Sequence, residues 1–409
     1  MLTIAIIGGG ASGMAAAIAA KRENPKASIM IFEHKDIPGK KILSTGNGRC
    51  NLTNEYMDIS CFRSDNMDQI APVLEQFSEK DTIRFFQELG ILTKSRNGYI
   101  YPRSDQASAV LSVLRMELKR LGIEVIINTH VQEVACIKKG FRIFTEEKNY
   151  IADRVILATG SKAAKVLGSD GSGYQIAKSF GHKIIPVVPA LVQLKVKNFP
   201  FSKASGVRTD ACVKAYVDKK EVASDTGELQ ITAYGISGIP VFQISRYIAR
   251  ALHDKRKAEV AIDFMPQMKE KELFDFLTDR QNVLKHTDLS EFLIGIFNQK
   301  LIPVLLGLAG LKPQTKTVSL SSEQILELTK QCKCTLLTIT DTNGFDNAQI
   351  CAGGVSLDEI EIKTMESCYR KGLYIIGELL DADGICGGYN LQWAWATGMI
   401  AGIHAAKQE

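Results

Sequence analysis

The sequence lacks long apolar runs, blocks of like charge and paired cysteines. No apolar stretch approaches the ~20 residues of a bilayer span, so no membrane partner is predicted. The net charge is only +5 over 409 residues with no long basic block, which disfavours nucleic acid as a partner. Nine scattered cysteines include no Cys-x-x-Cys pair, which predicts no metal site and favours a reduced, cytoplasmic setting.

Glycine, in contrast, is concentrated near both ends of the chain. Residues 2–13 (LTIAIIGGGASG) and 373–398 (LYIIGELLDADGICGGYNLQWAWATG) each contain an apolar run, then glycines, then a predicted helix of small residues. A strand that meets a helix through glycines is typical of nucleotide-binding folds. Two such segments at opposite ends predict that both termini return to one site, which holds a tightly bound dinucleotide.

The N-terminal segment contains a Gly-x-Gly-x-x-Gly fingerprint between a predicted strand at 2–7 and a predicted helix at 11–24. The first glycine permits a tight turn, the second lets the backbone approach a pyrophosphate, and the third lets helix and strand pack closely. The helix N-terminus offers N–H groups to the phosphates. The predicted contacts are Gly8, Gly10, Ala11, Ser12 and Gly13.

An acidic residue follows the fingerprint at the spacing of an adenosine-binding site. Glu33 ends the second predicted strand, 28–33, where its carboxylate can accept both ribose hydroxyls. The negative charge of Glu33 disfavours a 2′-phosphate on the ribose, so NADP is not expected at this position. His34 is predicted to contact the adenosine as well.

Three further features favour FAD over NAD. An apolar strand over 153–160 ends in Ala-Thr-Gly, a strand near 375 ends in an acid that can bond the ribityl chain, and a Gly-Gly-Tyr-Asn turn precedes a helix predicted over 391–405. The N-terminus of that helix can aim N–H groups at the flavin edge. The candidate contacts are Thr159, Gly160, Glu378, Gly388, Tyr389, Asn390 and Leu391.

The segment 38–54 (PGKKILSTGNGRCNLTN) is rich in glycine and polar side chains and is predicted to wrap the pyrophosphate and the ring. Its two lysines can neutralise phosphate charge. The candidate contacts are Lys40, Lys41, Ser44, Gly46, Asn47, Arg49, Cys50 and Asn51, with Val131 from a predicted strand at 130–137. No catalytic residue is assigned: Arg49 and Tyr389 are candidates for a polar role, and Cys50 is interpreted as a packed thiol rather than a redox relay.

These features predict an α/β fold in which a Rossmann-like FAD-binding domain is interrupted by a β-rich domain and a small helical domain. The FAD domain is predicted over 1–189 plus 336–409, the β-rich substrate domain over 190–265, and a mainly helical cap over 266–335. Gly168-x-x-Gly171-x-Gly173 has the wrong spacing for a second fingerprint. NAD(P)H must therefore visit the flavin transiently, or the reductant is another molecule.

The sequence resembles the BaiN-like NAD(P)/FAD-dependent oxidoreductases, which include aminoacetone oxidase-like flavoproteins. The resemblance spans the chain and rests on the fingerprint, Gly39–Lys41, Ser44–Asn54, Ala352–Val355 and Gly387–Ala394. Family members usually have glycine where this chain has Thr45, Asn47 and Ser161. The resemblance implies the same interrupted FAD fold and activities that include reduction of unsaturated steroid-like substrates and weak amine oxidation.

The predicted function is hydride transfer between FAD and a small organic substrate, linked to NAD(P)H. One alternative is an O2-dependent oxidase that acts on a small amine. Another is a non-catalytic flavin-bound redox sensor or partner-binding protein. The oligomeric state and the substrate stay open at this point.

Overall fold

The computed structural model describes residues 1–407, which form two compact units. The nucleotide unit comprises Met1–Val187 and the chain from Ile350 onward, and the barrel unit comprises Val188–Gln349. Across residues 1–407, none of the helices combines the length and the apolarity needed to cross a bilayer.

The α-helices are α1 (Ala11–Glu23), α2 (Ile70–Gln76), α3 (Glu79–Glu88), α4 (Ala107–Arg120), α5 (Ser172–Ser179), α6 (Ile239–His253), α7 (Glu270–Val283), α8 (Leu289–Phe292), α9 (Ile302–Leu308), α10 (Ser322–Lys333) and α11 (Tyr389–Ala406). The strands as far as the barrel unit are β1 (Thr3–Ile7), β2 (Ser28–Phe32), β3 (Thr53–Asn54), β4 (Phe62–Arg63), β5 (Thr93–Arg96), β6 (Tyr99–Pro102), β7 (Glu124–Ile126), β8 (Val131–Cys136), β9 (Phe141–Thr145), β10 (Asn149–Ala152), β11 (Arg154–Leu157) and β12 (Ile184–Ala190). The remaining strands are β13 (Leu194–Val196), β14 (Arg208–Val217), β15 (Lys220–Ile231), β16 (Gly235–Gly238), β17 (Ala258–Asp263), β18 (Thr335–Thr342), β19 (Ile350–Val355), β20 (Ile360–Glu361), β21 (Glu366–Ser367), β22 (Leu373–Ile375) and β23 (Asp383–Gly384).

The nucleotide unit is built on a seven-stranded sheet with the order β20-β21-β22-β11-β1-β2-β7. β1 pairs in parallel with β2 and β11, and β11 pairs in parallel with β22. The central strand β1 is almost wholly apolar because it is covered on both faces, as expected of a parallel strand. The predicted Rossmann-like α/β fold is confirmed, and the strands that precede the two glycine-rich segments, β1 and β22, belong to one sheet.

The C-terminal helix α11 packs along α1 with unusually close backbones. A Cβ atom on Gly398 would lie 2.5 Å from the Ser12 carbonyl oxygen, and one on Gly402 would lie 2.3 Å from the Ala16 carbonyl oxygen. Glycine at both positions lets the helices approach closely, and α11 is buried along most of its length. The two ends of the chain therefore form one tightly packed layer.

The barrel unit contains a closed antiparallel barrel with the order β13-β16-β15-β14-β17-β18. Alternate residues of β14 point into its core, among them Ala211, Val213 and Ala215. Helix α6 packs against β14 and β15, and α7–α10 extend the same core.

Three features of the structure differ from the sequence predictions. The β-rich segment 190–265 contains the 15-residue helix α6, whose signal was the helical spacing of Val241, Ile244 and Ile248. Residues 336–342 belong to β18, which pairs with β13 and β17, so they lie in the barrel rather than the FAD domain. Helix α11 begins at Tyr389 instead of 391, because Gly388 already turns the chain with φ 94°.

Candidate functional site

The N-terminal glycines form the turn that the fingerprint predicts. Gly8 has φ +106°, and a Cβ atom on Gly13 would lie only 2.0 Å from the Gly8 carbonyl oxygen. A Cβ atom on Gly10 would meet nothing within 4 Å. Helix α1 then begins after Gly10 with no side-chain cap on its first turn. The loop therefore leaves open space beside uncapped N–H groups, which is the arrangement that a pyrophosphate requires.

Glu33 lies just beyond the end of β2 and is buried. Its Oε2 accepts a hydrogen bond from the Gly9 amide at 3.1 Å, and its Oε1 accepts one from the Lys35 amide at 2.8 Å. These bonds fix the carboxylate next to the glycine turn. The remaining lone pairs can accept the hydroxyls of a ribose.

Two residues that the sequence analysis missed accompany His34. The His130 ring lies 5.8 Å from the His34 ring, and His130 Nε2 lies 3.5 Å from an oxygen of Asp170. Burial lowers the pKa of His34 although Glu33 opposes the shift. The neutral imidazole is therefore favoured beside the predicted adenosine position. Spacing along the chain gave no signal for this cluster, because its members come from three separate loops.

Glu378 joins three distant segments of the nucleotide unit. Its Oε2 accepts hydrogen bonds from Lys41 Nζ at 2.7 Å and from Ser161 Oγ at 3.0 Å. A Cβ atom on the preceding residue, Gly377, would lie 2.6 Å from Ser12 Oγ in the first turn of α1. The structure thus brings the C-terminal acid next to the N-terminal fingerprint, as the sequence predicted for a single site.

The two lysines of the segment 38–54 are both paired with acids. Lys41 pairs with Glu378, and Lys40 Nζ lies 2.5 Å from Asp36 Oδ1. Their charges are therefore partly balanced within the protein before any phosphate is bound. The role of these lysines at a phosphate stays a prediction.

Cys50 and Asn51 lie in the interior of the same segment. Burial raises the pKa of the Cys50 thiol to about 12, although a bond with Thr45 lowers it. The neutral thiol agrees with a packed residue rather than a nucleophile. Within residues 1–407, Asn51 Oδ1 is buried without a hydrogen-bond partner, 3.0 Å from the Cβ position of Gly388. A buried acceptor of this kind requires a donor, so it marks a position for a ligand group.

The candidates for a polar role near the ring already contact protein groups. Arg49 Nε donates to the Gly46 carbonyl, and its guanidinium lies 5.1 Å from the centre of the Tyr101 ring. Tyr389 is buried and shares a hydrogen bond with Cys61; burial, then this bond, raises the pKa of its phenol. Neither contact identifies a proton donor, so the catalytic assignment stays open.

The remaining candidate residues also lie in the nucleotide unit, and several of them make hydrogen bonds within the protein. The Asn390 amide bonds both backbone groups of Gly384 at 2.8 Å. Ser44 Oγ donates to the Lys41 carbonyl, and Thr159 Oγ1 donates to the Gly160 carbonyl. Val131 is buried in β8, while Asn47 is exposed and Leu391 is half-buried. Gly46, like Gly160, has a positive φ.

The inner face of α11 carries hydrogen bonds that the sequence analysis missed. Gln392 Oε1 accepts from the hydroxyls of Thr53 and Thr82, and its Nε2 donates to the Phe77 carbonyl. The Trp395 indole N–H donates to the Leu52 carbonyl at 3.0 Å. Trp395 is buried, and this bond holds the chain directly after Asn51.

His182 follows the end of helix α5, and its backbone amide donates to the Ala177 carbonyl at 3.2 Å, so it caps the helix through its backbone. Helix α5 ends at Ser179, and His182 is buried beyond it. Its Nδ1 lies 3.2 Å from Glu359 Oε2, and its Nε2 lies 2.7 Å from Ser367 Oγ. The imidazole therefore connects α5 to the edge strands of the sheet.

Known proteins of similar sequence match nearly the whole chain. A family profile described as the HI0933-like protein Rossmann domain matches residues 2–404. The 3-dehydro-bile acid delta(4,6)-reductase of Clostridium scindens is 54% identical over 408 residues, and the match covers 100% of both chains. The ribosomal RNA dihydrouridine synthase of Escherichia coli is 28% identical, with 96% of this chain and 95% of the relative covered.

Solved structures share the fold at low sequence identity. A flavocytochrome c3 fumarate reductase in its open conformation has a TM-score of 0.50 at 13% identity, covering 99% of this chain and 78% of its own. A quinol-fumarate reductase with menaquinol has a TM-score of 0.51 at 14% identity, covering 99% and 71%. With the full-length profile match and the close relative, the result is clear: the chain belongs to the HI0933-like Rossmann-domain family and is a flavin-dependent oxidoreductase, as its sequence predicted.

Proposed function

We propose that this protein uses FAD, reduced by NADH or NADPH, to reduce a carbon–carbon double bond conjugated with a carbonyl group in a steroid-like substrate. The observation that carries the proposal is the 54% identity, over the full length of both chains, to a reductase named for a 3-dehydro-bile acid. A 3-oxo group conjugated with ring double bonds is an electrophile. Hydride adds to the carbon at the far end of the conjugated system because the negative charge moves onto the carbonyl oxygen, and a proton completes the product.

The residues of the nucleotide unit fit FAD. The open glycine turn and the uncapped start of α1 would hold the pyrophosphate, and Glu33 would hold the adenosine ribose. Glu378 would bond the ribityl chain. The unpartnered Asn51 Oδ1 and the uncapped start of α11 would bond the ring half. Once reduced by NADH or NADPH, bound FAD would supply the hydride, while these groups would fix its position and electrostatic surroundings.

A nicotinamide donor would bind transiently. The sequence contains one strand–glycine fingerprint–helix unit, and Gly171 instead precedes α5 at the end of a loop. A donor without its own dinucleotide domain must reach the flavin, deliver hydride and leave before the substrate binds. This order predicts that reduction of the flavin and reduction of the substrate are separate half-reactions.

A second candidate substrate is a uridine base in RNA, because two relatives named as ribosomal RNA dihydrouridine synthases are 28% identical over nearly their full length. Uracil also contains a double bond conjugated with a carbonyl. RNA is disfavoured because several basic side chains of the barrel unit are paired with acids, which weakens their attraction for phosphate. These pairs are Arg208–Glu228, Lys214–Glu221, Arg256–Asp218, Lys257–Glu259, Lys316–Asp288 and Lys333–Asp263.

The test is anaerobic and uses separate half-reactions. The purified protein is first examined for a flavin spectrum and the released cofactor is identified. It is then reduced with NADH or NADPH and mixed with a 3-oxo-4,6-diene steroid, the saturated 3-oxo steroid as control, or a uridine-containing RNA. We expect flavin reoxidation only with the diene, with loss of its ultraviolet absorbance and a product heavier by two hydrogens.

Other outcomes separate the alternatives. Reoxidation by RNA and not by the diene would favour the uridine reaction. Rapid reoxidation by air with an amine as reductant would favour an oxidase. If the protein binds no FAD, the proposed cofactor is refuted. If neither NADH nor NADPH reduces the bound flavin, the proposed electron donor is refuted.

A further inference from the structure

We infer that Thr397 and Trp393 are positioning residues that act through Gly377 to set Glu378 against the flavin cofactor. The inference rests on the proposed binding of FAD by Glu378. It concerns two side chains of α11 that are both buried, so neither is offered as a catalytic residue.

Both backbone polar groups of Gly377 are held by these side chains. The Gly377 amide donates to Thr397 Oγ1 at 3.0 Å, and the Trp393 indole Nε1–H donates to the Gly377 carbonyl at 3.2 Å. The Thr397 hydroxyl in turn donates to the Trp393 carbonyl at 2.7 Å. Three hydrogen bonds thus close a ring between one turn of α11 and the residue directly before Glu378.

An ordinary buried threonine in a helix does not need this partner. Thr329 in α10 is equally buried, and its hydroxyl donates to the Ile325 carbonyl four residues earlier at 2.8 Å. Thr397 makes the same backward bond but also accepts the Gly377 amide. The additional bond is therefore specific to the Gly377–Glu378 corner and is not a general feature of threonine in helices.

The backbone at Gly377 and Glu378 is also held in place by helix α1. The Cβ position of Gly377 lies 2.6 Å from Ser12 Oγ, so a shift of this backbone is limited by the first turn of α1. Beyond the corner, the bonds of Glu378 to Lys41 and Ser161 both end on Oε2. Oε1 is left as the acceptor for a ribityl hydroxyl, and its position depends on where Gly377 is held.

The experiment compares Thr397→Val with Thr397→Ser. Valine keeps the shape but cannot accept the Gly377 amide, whereas serine keeps the hydroxyl. A buried donor left without a partner should weaken FAD binding by about ten-fold, while serine should stay within about two-fold of the natural protein. Trp393→Phe, which retains an aromatic ring but loses the N–H, is an independent second variant. Amide hydrogen exchange of Gly377 in the FAD-free protein should become faster in Thr397→Val.

Two controls separate positioning from loss of stability. Thr329→Val removes a comparable buried hydroxyl in the barrel unit and should lower thermal stability without changing the dissociation constant of FAD. In a Glu378→Gln background, the effect of Thr397→Val on FAD binding should shrink, because the two residues act in series.

Three results would overturn the inference. One is an unchanged FAD dissociation constant in both Thr397→Val and Trp393→Phe. Another is an effect of Thr397→Val on FAD binding that is the same in the natural background and in the Glu378→Gln background. If the natural protein bound no FAD at all, the proposed function would be refuted and this inference with it.

Discussion

The close crossing of α1 and α11 gives a sharp test, because one methyl group should disturb both stability and cofactor binding. A Cβ atom on Gly402 would lie 2.3 Å from the Ala16 carbonyl oxygen and 2.8 Å from Ala19 Cβ. Neither neighbour is the end of a flexible side chain. In Gly402→Ala the helices must therefore separate.

The size of the effect follows from these distances. A contact of 2.3 Å is about 1 Å shorter than an ordinary non-bonded separation of ~3.5 Å, so α11 must move by a comparable amount. Overpacking of this kind costs about 1–3 kcal/mol, which exceeds the ~0.5–1 kcal/mol that alanine gains over glycine in a helix. We expect net destabilisation, together with weaker FAD binding because both uncapped helix starts belong to the displaced pair.

Differential scanning calorimetry and fluorescence titration with FAD measure the two effects. Each kcal/mol corresponds to about 2–4 °C in the melting temperature of a domain of 150–250 residues. The matched control is Gly307→Ala in α9, where a Cβ atom meets nothing within 4 Å; it should stabilise the barrel unit by about 0.5–1 kcal/mol. A Gly402→Ala variant that melts at or above the temperature of the natural protein would contradict the expected separation of α1 and α11.

Three shorter predictions concern other buried groups. Cys50, whose pKa burial raises to about 12, should resist iodoacetamide at pH 8 in the native protein while exposed Cys136 reacts, as peptide mass spectrometry can show. Burial lowers the pKa of His182 below 6.5, so its neutral form stabilises the fold above that pH; this stability should fall as the pH drops from about 6.5 towards the lowered value, and His182→Gln should flatten that part of the melting-temperature profile. Gln392→Leu should destabilise by about 2–4 kcal/mol, because it strands two buried threonine hydroxyls and the Phe77 carbonyl; urea unfolding that matches the natural protein would contradict this.

The parts of the fold that the sequence predicted are those with local, repeated signals. The first strand, helix and second strand follow from an apolar run, three glycines and an acid, and the structure places them within one residue of the predicted bounds. These patterns are reliable because burial of one face requires a fixed period along the chain.

The features of the structure that the sequence did not predict depend on residues that are far apart along the chain. The pairing of β18 with β13 and β17 is a property of barrel closure, which no local pattern reports. The side chain of His182 was not predicted to bond residues 359 and 367, which lie far along the chain from the helix end that it follows. The ion pair of Lys41 with Glu378 was not predicted for the same reason, because the two residues are separated by 337 positions. Local reasoning assigns such residues to the nearest plausible neighbour.

The hydrogen bonds of α11 explain how a helix buried on nearly all sides keeps one orientation. Apolar contact alone distinguishes poorly between rotations of such a helix, because every face is suited to burial. Four side chains each carry a buried polar atom with a partner outside the helix: Gln392, Trp393, Trp395 and Thr397. Rotating or sliding α11 by one residue would leave all of these groups unpaired in the core, at a cost of several kcal/mol. Leu52 and Gly377 are among the partners, and each is the chain neighbour of a candidate FAD contact, Asn51 or Glu378. The bonds that fix α11 therefore also fix the backbone on which these two contacts stand.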